Sequence, residues 1–270
     1  MNFSVLMSVY HREQAIFLDK SLESILINQT LKPDEIVLVG DGELTDELYA
    51  IIEKYKKLFC NFLFIQIPEN VGLGKALNEG LKHCRGEWII RMDSDDIAMP
   101  MRLERQYNVI NQDKTIDVVG AWVSEFDENI DNIFAIKKVP ETNDEIHKFA
   151  QKRNPINHPV VAFRKNRILQ VGGYEHCMYF EDYWLWVRLL NSGAVFYNIQ
   201  EPLLWFRSNK EMYKRRGGIG YIKHEYRFQR KVLELGFISY RTFIVNMLTR
   251  TIVRVIPNEL RSFFYQKFLR

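Results

Sequence analysis

Two periodicities alternate along the first part of the chain. Phe3 to Val9 is an apolar run of strand length, ending at Tyr10-His11-Arg12-Glu13. Ile16, Phe17, Leu18, Leu22, Ile25 and Leu26 then recur at helical spacing. Residues 35–39 predict a second strand, closed by Gly40-Asp41-Gly42, and Leu44, Leu48, Ile51, Ile52 and Tyr55 a second helix. Phe62 to Ile67 is a third strand. The loop Asn70-Val71-Gly72-Leu73-Gly74 leads into a helix over about 75–84. Residues 87–91 form a fourth strand, which runs out into Met92-Asp93-Ser94-Asp95-Asp96; Pro100 closes that turn and a helix starts at Arg102. Short strands at 118–122 and 133–139 and a helix from about Asn143 follow. Strand and helix in alternation predict an α/β fold, a doubly wound, mostly parallel sheet with helices on both faces.

After Phe206 the pattern changes. Arg207, Lys210, Lys214, Arg215, Arg216, Lys223, Arg227, Arg230 and Lys231 stand against only Glu211 and Glu225. Phe243, Ile244, Met247, Leu248, Thr251, Ile252 and Val255 then make an apolar helical stripe, with Asn246, Arg250 and Arg254 opposite. Beyond Pro257, a second stripe of Leu260, Phe263, Phe264 and Phe268 carries Arg261, Lys267 and Arg270. A basic helix with an apolar face suits a membrane interface, where each cation near an anionic leaflet adds about 1 kcal/mol. The other reading packs the stripe on the catalytic domain or on a second subunit, as in a homodimer. The domain expectation is a catalytic unit over 1–206, with halves of about 1–100 and 101–206, and a basic amphipathic helical tail over 207–270.

Composition narrows the classes. The 270 residues suit one large domain or a domain with an appendage, and 47% apolar with 26% charged residues is ordinary for a folded protein. A net charge of +3 is too small to argue for nucleic acid. The basic tail alternates with an apolar stripe rather than with stacking aromatics, so no nucleic-acid partner is expected. Cys60, Cys84 and Cys177 have neither zinc-motif nor disulfide-framework spacing, which fits a reducing compartment. The opening Met1-Asn2-Phe3-Ser4-Val5 does not read as a signal peptide, and no apolar run approaches the ~20 residues of a spanning helix. The expectation is a cytoplasmic protein, peripheral on the inner face of the cell membrane.

In open α/β sheets ligands bind outside the carboxyl ends of the strands. Those ends carry Ser8 and Tyr10, then Asp41, then Asn70 and Lys75, then Asp93, Asp95 and Asp96. Three crowded carboxylates raise one another's pKa, and a divalent cation relieves the repulsion. An all-oxygen set favours Mg²⁺ or Mn²⁺, which completes its shell with water and substrate phosphates. The inventory suits a nucleoside diphosphate: Tyr10 to stack on a base, Asp41 to accept from a base N–H, and Lys75 with the metal to neutralise phosphates. Neither Gly40-Asp41-Gly42 nor Gly72-Leu73-Gly74 forms a dinucleotide fingerprint or a P-loop.

The same blocks carry a family resemblance. Ser8-Val9-Tyr10-His11-Arg12, residues 35–42, residues 70–78 and residues 86–96 resemble, in order and spacing, family 2 glycosyltransferases, which have the GT-A fold. Residues 157–164, beginning Asn157-His158-Pro159, look like that family's acceptor-side strand. Gly172-Gly173-Tyr174 followed by residues 181–189 looks like its catalytic-base helix. The resemblance covers roughly the first two hundred residues. Gly40 departs from the pattern, where the family often carries Asp or Val, but Asp41 is kept.

The resemblance implies transfer of a sugar from a nucleoside diphosphate sugar, here a UDP-sugar, to an acceptor hydroxyl with inversion. It implies Asp95 as the direct metal ligand, with Asp93 at the ribose or metal shell and Asp96 beside them. It makes Asp182 the base and Glu181 the alternate, and turns His158 toward an acceptor phosphate. Trp184 and Trp186 are two apart on one helix, so one is expected in the acceptor pocket and the other in the core. With the basic tail, the implied acceptor is a polyprenyl diphosphate-linked sugar in bacterial surface polysaccharide synthesis. Two other classes remain: a nucleotide-sugar-binding protein without transfer, and a nucleotidyltransferase, for which the glycine-rich phosphate loop is missing after the first strand.

Overall fold

The computed structural model describes residues 2–208 and 219–255. Its first half follows the strand–helix alternation: β1 (Phe3–Val9), α1 (Ala15–Leu22) running into a π-turn (Glu23–Ile27), β2 (Glu35–Asp41), α2 (Asp46–Leu58), β3 (Phe62–Ile67), α3 (Leu73–His83) and β4 (Trp88–Asp93). Then come β5 (Ile97–Ala98), α4 (Arg102–Gln112), β6 (Val118–Phe126), β7 (Ile133–Lys137), α5 (Asn143–Ala150), a 3₁₀ turn (His158–Val160), β8 (Ala162–Arg164), α6 (Lys165–Gln170), α7 (Glu181–Asn191) and β9 (Phe196–Arg207). Two further helices follow, α8 (Ile219–Glu234) and α9 (Tyr240–Val255).

The strands form one sheet in the order β3-β2-β1-β4-β8-β6-β9-β5, with β7 on β6. β3, β2, β1 and β4 are mutually parallel; β8 then pairs antiparallel with both β4 and β6, and β6 with β9 is parallel. The central strands are apolar on both faces because both faces are covered. Leu6, Val37 and Ile89 point into a cluster with α3, α7 and α8, whereas Val5, Met7, Ile36, Leu38 and Ile90 point to the opposite one with α1 and α2. Each such side chain contributes about 1.5–3 kcal/mol on burial.

The tail does not hang free of this core. Tyr221, Phe228 and Val232 of α8, with Phe237 and Ile238 after it, are buried in the same cluster as Trp186 and Phe196. α9 departs from the simple amphipathic reading, although Phe243 of the predicted stripe does pack against this core. The polar side faces inward: Asn246 is buried and donates to the Gln151 carbonyl (2.8 Å) and to Gln229 Oε1 (3.0 Å), and Arg250 pairs with the buried Glu225. Ile244, Val245 and Leu248 are exposed. The stripe therefore does not pack on the catalytic layer at these positions. Lys210, Lys214, Arg215 and Arg216 and everything from Pro257 to Arg270 lie outside the described residues, as do the side chains of Ile252, Arg254 and Val255. Among the described residues no helix is long and apolar enough to cross a membrane.

Candidate active site

β4 carries the acidic turn to the carboxyl end of the sheet, where Asp93 lies beside Ser8 in the β1–β4 register. Asp93, Asp95 and Asp96 offer oxygens that all lie within 4.8 Å of one another. The turn is held from behind. Ser21 Oγ donates to the Asp93 carbonyl (2.7 Å), and Ser94 Oγ donates to Glu13 Oε2 (2.5 Å). Arg207, the last residue of β9, donates its backbone N–H to Asp96 Oδ1 (2.7 Å) and its Nε–H to the Asp95 carbonyl (2.9 Å). Its guanidinium lies 3.9 Å from the Phe17 ring centroid and 4.6 Å from that of Phe126. Two arginines sit beneath: Arg91 pairs with Asp93, and the buried Arg102 donates to the Arg91 carbonyl (2.6 Å).

Burial, then Asp93 and Glu13, push the Asp95 carboxyl up to about 7. Burial, then Asp95 and Asp93, push Asp96 well above the carboxylate range. Asp96 Oδ2 is buried without a hydrogen-bond partner. Crowded carboxylates with an orphaned buried oxygen are a set that a hard divalent cation satisfies. The residues fit the group the sequence implies.

The other donor-side positions differ in availability. Tyr10 is exposed at the end of β1 and makes a T-shaped contact with His11. Ser8 is half-buried. Asp41 is buried and accepts from the backbone N–H groups of Val71 (2.7 Å) and Gly72 (3.0 Å), one on each oxygen. It fixes the loop that leads into α3, and a base N–H would use a second lone pair. Lys75 is exposed and lines a shallow depression of about 350 Å³ with Gln66, Pro68 and Val71.

α3 ties this half to the acceptor side. Asn78 Nδ2 donates to the Tyr174 carbonyl (2.7 Å), and its Oδ1 accepts from the Tyr174 N–H (2.8 Å). Gly173 has φ +72°, and a Cβ there would lie 2.5 Å from Asn78 Oδ1, so this approach needs glycine. A Cβ on Gly74 would meet Tyr174 Cβ at 3.3 Å and Glu181 Cγ at 3.6 Å, which puts the first turn of α3 against the start of α7.

α7 opens with Glu181 and Asp182, both half-buried. Asp182 Oδ2 accepts from Asn154 Nδ2 (2.7 Å). Burial, with Asp182 adding to it, raises the Glu181 carboxyl above its ordinary range. The Tyr174 phenol is raised by burial first; Arg91 opposes, and Asp182 and Asp93 both add. Before the helix, Tyr179 has φ +69° and stacks on Tyr221, while Phe180 stacks on Phe228 (4.7 Å), so α8 props the start of α7.

On the acceptor side one tryptophan is in the core as expected, while Trp184 and His158 have protein partners of their own. Trp186 is completely buried among Phe163, Phe196 and His158. Trp184 is 6% exposed, donates to Glu175 Oε2 (2.8 Å) and lies under Arg188 and Lys231. Neither ring has an open face: Trp186 is enclosed by the 3₁₀ turn, β8 and β9, and Trp184 by Glu175, Arg188 and Lys231 of α8. His158 Nε2 shares a hydrogen bond with the Tyr174 hydroxyl (2.8 Å), and burial beside Arg91 holds the ring well below its usual pKa. Its Nε2 is thus engaged by Tyr174 rather than open to an acceptor. Sequence reasoning passed over Arg91, Arg102, Tyr174, Asn154 and Glu13, and placed Arg207 in the tail. Arg91 had a signal: a charge in an otherwise apolar strand just before the acids.

Residues 4–176 match the sequence profile of "Glycosyl transferase family 2". The chain belongs to that family. It is 40% identical over 268 residues to an Escherichia coli UDP-Gal:alpha-D-GlcNAc-diphosphoundecaprenol beta-1,3-galactosyltransferase, covering 99% of this chain and 96% of that one. It is 38% identical over 268 residues to the amylovoran biosynthesis glycosyltransferase AmsE of Erwinia amylovora, covering 98% of each. In three dimensions it is similar to the mannosyltransferase PcManGT of Pyrobaculum calidifontis, solved with GDP-Man and Mn²⁺: TM-score 0.67, 17% identity, 96% of this chain and 71% of that one. This glycosyltransferase thus has the GT-A fold expected from its motifs, and its acidic turn lies at the carboxyl end of the parallel strands.

Proposed function

We propose that the chain moves a hexose from a UDP-sugar to a hydroxyl of a polyprenyl diphosphate-linked sugar, with inversion, in the building of a bacterial surface polysaccharide. The reading of donor and acceptor is supported by the near full-length likeness to the E. coli galactosyltransferase, whose substrates are of these classes. The mechanistic reading is supported by one arrangement: the first turn of α3, which follows the loop fixed by Asp41, lies against Tyr174 and against Glu181 at the start of α7.

Asp95 and Asp93, with Asp96 behind them, would hold Mn²⁺ or Mg²⁺, which when bound supplies a Lewis acid for the leaving diphosphate. Tyr10 stacks on the base, Asp41 orders the loop entering α3, and Lys75 adds positive charge toward the phosphates. Asp182 takes the proton of the acceptor hydroxyl as its oxygen attacks the anomeric carbon. The bond from that carbon to the diphosphate oxygen breaks, and UDP leaves. Glu181, beside Asp182 in the first turn of α7, is the alternate base.

The exposed face of α9, with Ile244, Val245 and Leu248 on the same helix as the exposed Arg241, rests on an anionic membrane surface on the cytoplasmic side, where the lipid-linked acceptor is held.

The test offers UDP-, GDP- and dTDP-hexoses with Mn²⁺ or Mg²⁺ and a synthetic polyprenyl diphosphate N-acetylhexosamine, and reads product mass. Transfer from a UDP-hexose, lost in Asp95→Ala and Asp182→Asn, is expected. Nucleotide binding without transfer from any donor would favour a binding protein, and no nucleotide binding would overturn the reading.

A further inference from the structure

We propose that Asn154 is a positioning residue for the Asp182 carboxylate, and that the inward polar side of α9 holds the Asn154 loop in place for that task. The amide cannot turn round without loss. Asn154 Oδ1 accepts from the Ile156 N–H (3.3 Å), which leaves Nδ2 to donate to Asp182 Oδ2 (2.7 Å). One carboxylate oxygen is thereby fixed by a neutral donor, and the other stays available for the acceptor proton. A charge-assisted bond of this kind sets the direction of the free lone pairs as well as adding energy.

The loop that bears Asn154 has little regular structure of its own, running from the end of α5 to the 3₁₀ turn. It is held from the other side by α9. Asn246 Nδ2 donates to the Gln151 carbonyl (2.8 Å), and Arg250 donates to the Lys152 carbonyl while it pairs with Glu225. Gln229 of α8 in turn holds Asn246 (3.0 Å). Hydrogen bonds from the C-terminal helices thus hold the backbone at Gln151 and Lys152, two to three residues before the Asn154 that bonds the carboxylate at the start of α7. This also accounts for the polar side of α9 facing inward: its amide and guanidinium satisfy backbone carbonyls that a loop leaves open.

The proposal rests on Asp182 being the base. Two substitutions at Asn154 separate positioning from turn-making. Asn154→Asp keeps an acceptor for the Ile156 N–H, but loses the donor and sets a second carboxylate against Asp182. Asn154→Ala loses both bonds without adding a charge. Positioning predicts a kcat loss on the order of 10- to 100-fold in both, the Asp variant at least as severe as the Ala one, with KM for donor and acceptor within about twofold of wild type. A purely turn-making Asn154 gives the reverse order, with Asp near wild type in kcat, and that result overturns the proposal. Asn246→Ala is expected to lower kcat by a smaller factor, again with KM unchanged; an unchanged kcat there overturns the role given to α9. Asp182→Asn is measured alongside. If it keeps wild-type transfer, the base assignment itself has failed; if it is inactive while Asn154→Asp is not impaired, only the positioning role has.

Discussion

Asp95 shows how a single residue sets conditions for the whole site. Its carboxyl is held near 7 in the folded chain against an ordinary value of 3.8. Between those values the folded state binds the extra proton, so this group makes the metal-free protein less stable as pH rises from about 4 to about 7. A bound divalent cation needs the ionised form and removes that cost. Mn²⁺ is therefore expected to raise the unfolding temperature more at about pH 8 than at about pH 5.5. In Asp95→Asn both the Mn²⁺ response and its pH dependence shrink. An equal Mn²⁺ shift at both pH values, or an undiminished one in the variant, would separate metal binding from this carboxylate.

At the scale of elements, the parallel half was legible because its strands obey local rules: apolar runs covered on both faces, each followed by a helical repeat. Those rules place Asp93, Asp95, Asp96, Asp41, Lys75 and Tyr10 at one end of the sheet without any three-dimensional information. The acceptor side was less legible because its order comes from contacts distant in sequence. The spacing of Trp184 and Trp186 does not say which is covered, and Trp184 is covered by Lys231 from another helix. His158 reads as a free imidazole until Tyr174 takes its Nε2. The apolar repeat in α9 marks the face that a soluble domain would bury, yet Asn246 and Arg250 find carbonyl and carboxylate partners on the other side. α8 is the element whose loss matters most to this arrangement. Phe228 is completely buried and lies against Phe180 and Tyr183, the residues flanking the Glu181–Asp182 pair. Phe228→Ala is expected to cost about 3–5 kcal/mol, measured by denaturant unfolding, and to lower transfer more than it lowers UDP affinity.

For the molecule as a whole, the two sides of the C-terminal hairpin divide the work. The inner side joins the core and the loop at Asn154; the outer side exposes Tyr240, Arg241, Ile244, Val245 and Leu248. Ile244→Glu with Leu248→Glu is expected to reduce binding to vesicles containing phosphatidylglycerol by at least about tenfold, since it removes apolar contact and adds repulsion. With a water-soluble acceptor analogue, kcat should stay near wild type. Vesicle binding that survives the double substitution would put the contact elsewhere on the chain.

The central claim is a single displacement, with a proton acceptor at the start of α7 and the leaving diphosphate anchored at the end of β4. The most direct measurement is the anomeric configuration of the product formed from a UDP-α-hexose, read by the proton coupling at the new linkage. A β-linked product is predicted, because attack from the Asp182 side displaces UDP from the opposite one. An α-linked product would contradict the account, since one displacement on that geometry cannot retain configuration.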